Sequence, residues 1–435
     1  MIVCKFGGSS LSDAPHIEKV QKIVHGDDER RIVVVSAPGK RSGNDEKVTD
    51  LLYRCAHLVA EGKSCRAVFD AIAARYTDIL SGLGMEHDFF LPILAEVREH
   101  IEAGAGDHWA ASRGEYLSAR LVAAYFGWEF LETEGRIIIA DDGSVDETTY
   151  ERLREALDPK KRYVVPGFYG SNSHGKVQTF SRGGSDITGA IISRAIGAQV
   201  YENWTDVSGV YRIDPRLVEG ATVVDRMTYR EVRELAAVGA SVFHEEAIAP
   251  VITASIPINV KNTNAPSDEG TWIVEGRECD GHPLAGVSAK GGFSRLTVHK
   301  LMLFKRTGIR HALLTMMRVF GVRPVFSLYG IDSIVWFFET SQASEGVLQA
   351  MCARLRSEFA LDSIEVDHAH AVVGVVGAFV NEDPALVGVV SSALERAKIP
   401  ITFLNYGSSA TSMLIGVEER DSKAAVTTLY HALFA

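Results

Sequence analysis

Four short runs, RIVVVSAPGK (31–40), GRIIIA (135–140), RYVVPGFYG (162–170) and IPINVKNT (256–263), are rich in β-branched residues and stop at Gly, Ser, Pro or Asn. Strands that are apolar without alternation must be covered on both faces, as in parallel sheets wrapped by helices. Helical patterns lie between the runs. APHIEKVQKIV (14–24) puts Ile17, Val20 and Val24 on one face, and Pro15 suits a first turn. This alternation predicts an α/β sandwich over residues 1–284.

From residue 285 the spacing changes and a weak internal repeat appears. GVRPVFSLYGIDSIVWFFE (321–339) aligns with AKIPITFLNYGSSATSMLIGVE (397–418), setting Pro324 opposite Pro400 and Tyr329-Gly330 opposite Tyr406-Gly407. A helix-like stretch precedes each copy (HALLTMMRVF; ALVGVVSSALERA) and another follows (EGVLQAMCARLRSEF; AAVTTLYHALF). Two small α+β modules are predicted, each reading helix, strand, turn, strand, helix.

Composition narrows the function classes. The 435 residues are 46% hydrophobic and 23% charged, which is ordinary globular usage. No apolar run is long enough for a membrane helix and the N-terminus lacks a signal-peptide core, so a cytoplasmic protein is expected, with no membrane partner. Five scattered cysteines without CxxC spacing argue against a disulfide framework or a zinc knuckle. A net charge of −11 makes nucleic acid an unsuitable partner, so any anionic ligand must meet locally placed cations.

Such a place occurs at once. MIVCKFGGSS ends a first strand in a glycine pair, which lets backbone N–H groups approach an anion, while Ser9 adds a hydroxyl and Lys5 a point charge. A tight turn with a surface lysine would read the same way, so more context is needed. TFSRGGSDITGA (179–190) supplies it: a second glycine pair, Arg182 before it, then Ser185 and Asp186 leading into a helix whose amino end favours an anion. Cationic groups and N–H donors with one acid to hold magnesium or orient the lysine are what phosphoryl transfer needs. SRGEYLSAR (112–120) adds Glu115 before an expected helix start, and TDVSGVYRIDPR (205–216) is a turn-rich loop with Asp206, Tyr211 and Arg216. No GxGxxG follows the first strand. GSNSHGK (170–176) lacks the Ser or Thr of a Walker loop and reads as a hairpin tip. His368 and His370 in DHAHA would share a face of a strand but have no third ligand nearby, and VWFFE (335–339) reads as core or interface.

KFGGSS, VVVSAPGK followed by VTDLL, SRGE, FSRGGSD, TDVSGVYRIDPR and IPINVKNT, in this order, closely resemble the aspartate kinases of the amino-acid kinase family. The paired tail modules resemble their tandem ACT domains. Ser181, where a glycine is more usual, and the acidic HEEAIAP (244–250) depart from the pattern. The resemblance implies an amino-acid kinase α/β/α sandwich (1–284) followed by two ferredoxin-like ACT modules, 285–368 and 369–435. It also implies nesting of the first module in the second, with 285–302 expected to belong with the C-terminal copy. It implies phosphate contacts from Lys5, Gly7, Gly8 and Ser9, with Asp186 organising Lys5 and Mg2+. Aspartate would meet Thr49, Glu115, Arg182 and Ser185, and the nucleotide side would include Ser36, Thr205, Asp206, Tyr211, Arg216 and Lys261. A guanidinium suits a carboxylate and Glu115 an ammonium. The expected reaction is transfer of the ATP γ-phosphoryl to the aspartate side chain. A kinase for acetylglutamate or glutamate, or a non-catalytic amino-acid sensor, is the alternative. The chain stops directly after the second module, so no fused homoserine dehydrogenase is expected. The resemblance further implies a homodimer or homotetramer formed through the ACT modules and inhibited by an end product. Lysine is the expected effector, with Asp332 pairing its ammonium.

Overall fold

The computed structural model describes residues 1–181, 183–240, 245–279 and 283–434. The chain divides into two units. The first holds Met1–Tyr211, Val223–Ala236 and the stretch ending at Glu278; the second holds Arg212–Thr222, Ala237–Ala240 and the stretch from Cys279 onward.

Unit 1 runs β1 (Ile2–Phe6), α1 (Ala14–His25), β2 (Arg30–Val35), α2 (Val48–Ala60), α3 (Arg66–Gly82), α4 (Leu91–Glu102), α5 (Asp107–Phe126), β3 (Glu129–Phe130), β4 (Ile138–Ile139) and α6 (Thr148–Ala156). It continues through β5 (Tyr163–Pro166), β6 (Tyr169–Asn172), β7 (Val177–Thr179), α7 (Gly184–Ile196), β8 (Val200–Thr205), β9 (Arg226–Thr228), α8 (Tyr229–Ala237), α9 (Ala249–Thr253), β10 (Ile258–Asn262) and β11 (Thr271–Val274). Its main sheet has the order β3-β5-β2-β1-β8-β10-β11-β9, parallel from β3 through β10. The chain works outward from β1 in one direction through β2 and β5, then in the other through β8 and β10. This makes the β1/β8 junction a topological switch point, where open α/β sheets bind ligands. Cys4, Phe6, Val33, Val35 and Trp204 pack on one face with residues of α1 to α5, and α7 covers β1 on the other. Strands buried on both faces explain why these runs lack alternation.

Three local expectations change. GRIIIA yields only the two residues of β4, in a separate sheet ordered β4-β6-β7, and RYVVPGFYG is split between the sheets at Gly167-Phe168. GSNSHGK is the tip of the β6/β7 hairpin. Glu115 does not precede a helix start; it sits in the middle of α5, which begins at Asp107. Its neighbour Gly114 hid this, because mid-helix glycine is normally unfavourable. Here a Cβ on Gly114 would stand 2.7 Å from the Cβ of Ala37, so helix and strand-end turn approach too closely for any side chain.

Unit 2 continues with β12 (Gly286–His299), α10 (Ile309–Val319), β13 (Phe326–Tyr329), β14 (Ser333–Glu339), α11 (Glu345–Phe359), β15 (Ser363–Val376), α12 (Leu386–Arg396), β16 (Phe403–Asn405), β17 (Ser412–Glu418) and α13 (Ser422–Phe434). These form one antiparallel sheet, β13-β14-β12-β15-β17-β16. Both predicted repeats are present as helix, strand, turn, strand, helix. The central strands belong to both: Gly286–Lys290 pairs with Val372–Val376, whose other neighbour is β17, while Phe293–His299 lies between β14 and the first half of β15. One core gathers Leu313, Trp336, Phe338 and Met351, and another gathers Val373, Leu394, Ile415 and Leu429. Trp336, Phe337 and Phe338 of VWFFE are all buried. The two histidines do not act together. Ala369 between them has φ 62°, which breaks strand alternation; His368 meets Ser294 Oγ at 2.7 Å and stays exposed, while His370 is buried against Asp367 and Phe337.

The loop from β2 to α2 is latched from beneath. Buried Arg75 of α3 donates to Gly39 O at 2.9 Å, to Glu46 O at 3.5 Å and to the Asp45 carboxylate. Burial alone would raise the Asp45 pKa, but the Arg41 N–H and guanidinium and the Arg75 charge bring it down to about 2. Removing the buried guanidinium takes the donor from the Gly39 and Glu46 carbonyls and leaves Asp45 with Arg41 alone, so Arg75→Met is expected to lower stability by roughly 1–3 kcal/mol in denaturant titrations at neutral pH. Asp45 contributes in full above its ordinary 3.8 and loses its contribution as pH falls through about 2. The gap between wild type and variant should therefore narrow in strong acid, and an equal gap at both pH values would dismiss the pair as its origin.

Candidate active site

At the carboxyl ends of the parallel strands, β1 turns through Gly7 and Gly8 into a short 3-10 turn, Gly8–Leu11. Its backbone abuts the turn after β2. Gly39 N–H donates to Gly8 O at 2.8 Å, and a Cβ on Gly39 would stand 2.7 Å from Gly8 C. Only glycines permit that approach. Beside it Lys5 Nζ lies 2.6 Å from Asp186 Oδ1, with both side chains largely shielded from solvent. Asp186 sits in the first turn of α7, where a carboxylate and the helix dipole attract.

A cavity of about 510 Å³ opens above this pair. Lys5, Ser36, Thr49, Glu115, Ser185 and Asp186 line it, so six of the residues singled out from sequence meet at one surface. Glu115 forms its most unusual wall. Its carboxyl is buried and its Oε2 accepts no hydrogen bond among the described residues. Burial pushes its pKa up to about 8, against the lowering effect of the Ala37 N–H. Tyr76 fixes this stretch of α5 by donating its hydroxyl to Gly114 O at 2.7 Å. The neighbouring Arg113 of SRGE is structural: its guanidinium lies 4.5 to 5.2 Å from the Trp109, Tyr116 and Tyr169 rings.

The remaining predicted residues lie elsewhere. Gly7 comes close, since its Cβ would stand 3.7 Å from Lys5 Nζ, but Gly7, Gly8 and Ser9 do not line the cavity. Thr205 and Asp206 follow each other at the end of β8, their side chains 3.2 Å apart. Lys261, on the neighbouring strand β10, donates to Asp268 O at 2.7 Å and lies 5.5 Å from the Trp204 ring, and burial lowers its pKa. Tyr211 bridges to Val223, whereas Arg216 falls in unit 2, exposed and paired with Asp214 at 2.6 Å. Arg182 lies outside the described residues. In unit 2, Asp332 Oδ1 accepts the Met302 N–H at 2.7 Å and so anchors the loop after β12.

Sequence reading missed Lys47, Asp50, Tyr53, Phe168 and Phe180, which also line the cavity. Tyr53 was recoverable, standing one helical turn after Thr49. Phe168 was not: it has φ 79°, a conformation costly for a bulky residue, and its neighbours carry no signal beyond Pro166-Gly167. A larger cavity of about 580 Å³ lies on the far side of Phe180 and Ser181, but none of the predicted residues lines it. No helix among the described residues is long and apolar enough to cross a membrane.

The amino acid kinase family model matches residues 1–262 and an ACT domain model matches residues 373–433. Aspartokinase 3 of Bacillus subtilis is 33% identical over the whole of this chain and 99% of its own. Lysine-sensitive aspartokinase 3 of Escherichia coli is 26% identical over the same span of both. The crystal structure of Clostridium acetobutylicum aspartate kinase superposes over the full length of both chains with a TM-score of 0.92 at 38% identity. With a sandwich that carries Lys5, Glu115 and Asp186 around one cavity and a tail of paired α+β modules, the chain belongs to the amino-acid kinase family, as an aspartate kinase with C-terminal ACT domains.

Proposed function

We propose that the Lys5–Asp186 pair marks the phosphoryl transfer point, and that aspartate lies between it and Glu115. The observation that carries this reading is the cavity itself, with a lysine–carboxylate pair on one wall and, on another, a buried carboxyl whose Oε2 has no hydrogen-bond partner among the described residues. Glu115 takes the substrate ammonium, while Thr49, Ser185 and Arg182 take its carboxylates. The γ-phosphoryl rests against Lys5 and the Gly7-Gly8-Ser9 turn, where the N–H groups of Gly8 and Ser9 are the donors while the Gly7 N–H is held by Trp204 O at 3.1 Å. Ser36, Thr205, Asp206, Tyr211 and Lys261 serve the nucleotide. One oxygen of the side-chain carboxylate attacks phosphorus as the bond to ADP breaks, and ADP leaves with the electron pair. The nucleophile is already ionised, so no general base is needed. The barrier lies in bringing two anions together, which Lys5 and the turn's N–H groups reduce. Magnesium fits this arrangement, since it binds through one or two carboxylates and the substrate phosphates, and Asp186 lines the cavity as such a carboxylate. When bound, it supplies further charge neutralisation.

Hydroxamate trapping of the acyl phosphate with ATP, magnesium and aspartate or glutamate tests the reading. Lys5→Ala and Asp186→Ala should fold and lose about 10²-fold or more in turnover. Near-normal turnover in either would move the transfer point elsewhere.

Glu115 couples binding to pH. Its carboxyl is protonated in the empty site below about 8 but must ionise to hold an ammonium, so aspartate binding releases a proton. The KM for aspartate should fall as pH rises from about 6 to 8 and level off above. Glu115→Gln should raise that KM far more than the KM for ATP and abolish the slope. A persisting slope would assign it to another group.

Unit 2 is proposed to bind an amino-acid effector, lysine, with Asp332 at the site and assembly into dimers or tetramers through the modules. The E. coli relative is named for its lysine sensitivity, and Leu301, Phe304 and Ile331 are exposed around Asp332. Titrating activity with lysine and threonine should give inhibition by lysine that Asp332→Ala weakens. Inhibition by threonine alone would overturn the choice of effector.

A further inference from the structure

Strands β1 and β8 run parallel with Lys5 directly beside Asn203, and the row continues through Val34 on one side and Val260 on the other. Laterally paired residues share a face of the sheet. Two buried polar side chains flanked by valines must find partners inside the protein. Both donate to one atom: Lys5 Nζ stands 2.6 Å and Asn203 Nδ2 2.7 Å from Asp186 Oδ1. Tyr201, two residues earlier on the same strand face, donates its hydroxyl to the main-chain oxygen of Asp186 at 3.1 Å. Its ring fills the space of a missing side chain at Gly189 of α7, where a Cβ would stand 2.6 Å away. Strand β8 therefore grips Asp186 by side chain and by backbone, and neither grip involves Lys5.

This second grip matters when Lys5 turns its charge toward the phosphoryl group. A carboxylate oriented by Lys5 alone would be released at that moment. We infer that Asn203 is a positioning residue, whose carboxamide keeps Asp186 in place while Lys5 engages the transferring phosphoryl group. The inference rests on the roles proposed above for Lys5 and Asp186. Displacing a reacting group by about 1 Å costs on the order of 10²-fold in rate, so a lost anchor should appear in turnover before binding. If Asn203 merely completed a buried row, its loss would lower stability without a selective effect on turnover.

The test compares kcat, both KM values and the thermal midpoint for wild type, Asn203→Leu and Asn203→Asp, each also in an Asp186→Asn background. Asn203→Leu, close in size but without a donor, should lose about tenfold or more in kcat, with both KM values within roughly threefold. Asn203→Asp, which sets a second carboxylate beside the first, should lose at least as much. In the Asp186→Asn background either change should add less than roughly twofold, because the residue acts only through Asp186. Near-wild-type kcat in the Asn203 variants beside a large loss in Asp186→Asn overturns this inference alone. An equal proportional loss in the Asp186→Asn background overturns it too, as does a rise in KM in place of a fall in kcat. Normal turnover in Asp186→Asn overturns the catalytic reading together with it. Should Asn203→Leu fail to fold, the isosteric Asn203→Asp decides.

Discussion

A lysine on the central strand and an aspartate on the covering helix hold each other at 2.6 Å, and much of unit 1 is arranged so that they meet. β1 must be central, so that Lys5 has a strand on either side and little solvent. α7 must start at the carboxyl edge of the sheet, so that Asp186 stands in its first turn and the helix dipole adds to the field. The chain carries a net charge of −11, and its ligands are anions. Attraction therefore has to be built locally, and a buried cation beside backbone N–H groups is a compact way to build it.

Much of this was legible before any coordinates. The apolar runs of β2, β5 and β10 announced a sheet covered on both sides, and the two glycine pairs announced tight turns at strand ends, because these features depend on residues adjacent in sequence. What escaped depends on residues far apart. Arg75 reaches a carbonyl 36 positions away, and Asn203 reaches a carboxylate 17 positions away. Neither carries a local signature. Glu115 was singled out, and it lines the cavity, but it was misplaced at a helix start, because a glycine within a helix is explained only by the turn packed against it.

The tail was readable as a duplication since each copy keeps its own helices, a turn, and a proline followed by Tyr-Gly. Periodicity did not reveal how the copies share strands, which is a question of pairing. Nor did it reveal the positive φ of Ala369, which separates two histidines that simple alternation would have joined.

The shared strands have a further consequence. β12 and β15 each give one half of their length to either module, and they pair with each other over nearly all of it. Cutting the sheet between the modules would sever both central strands and leave four raw ends, so neither module is a detachable part. A substitution on β12 or β15 therefore bears on both halves of the sheet, and the tail is expected to hold or fail as one block.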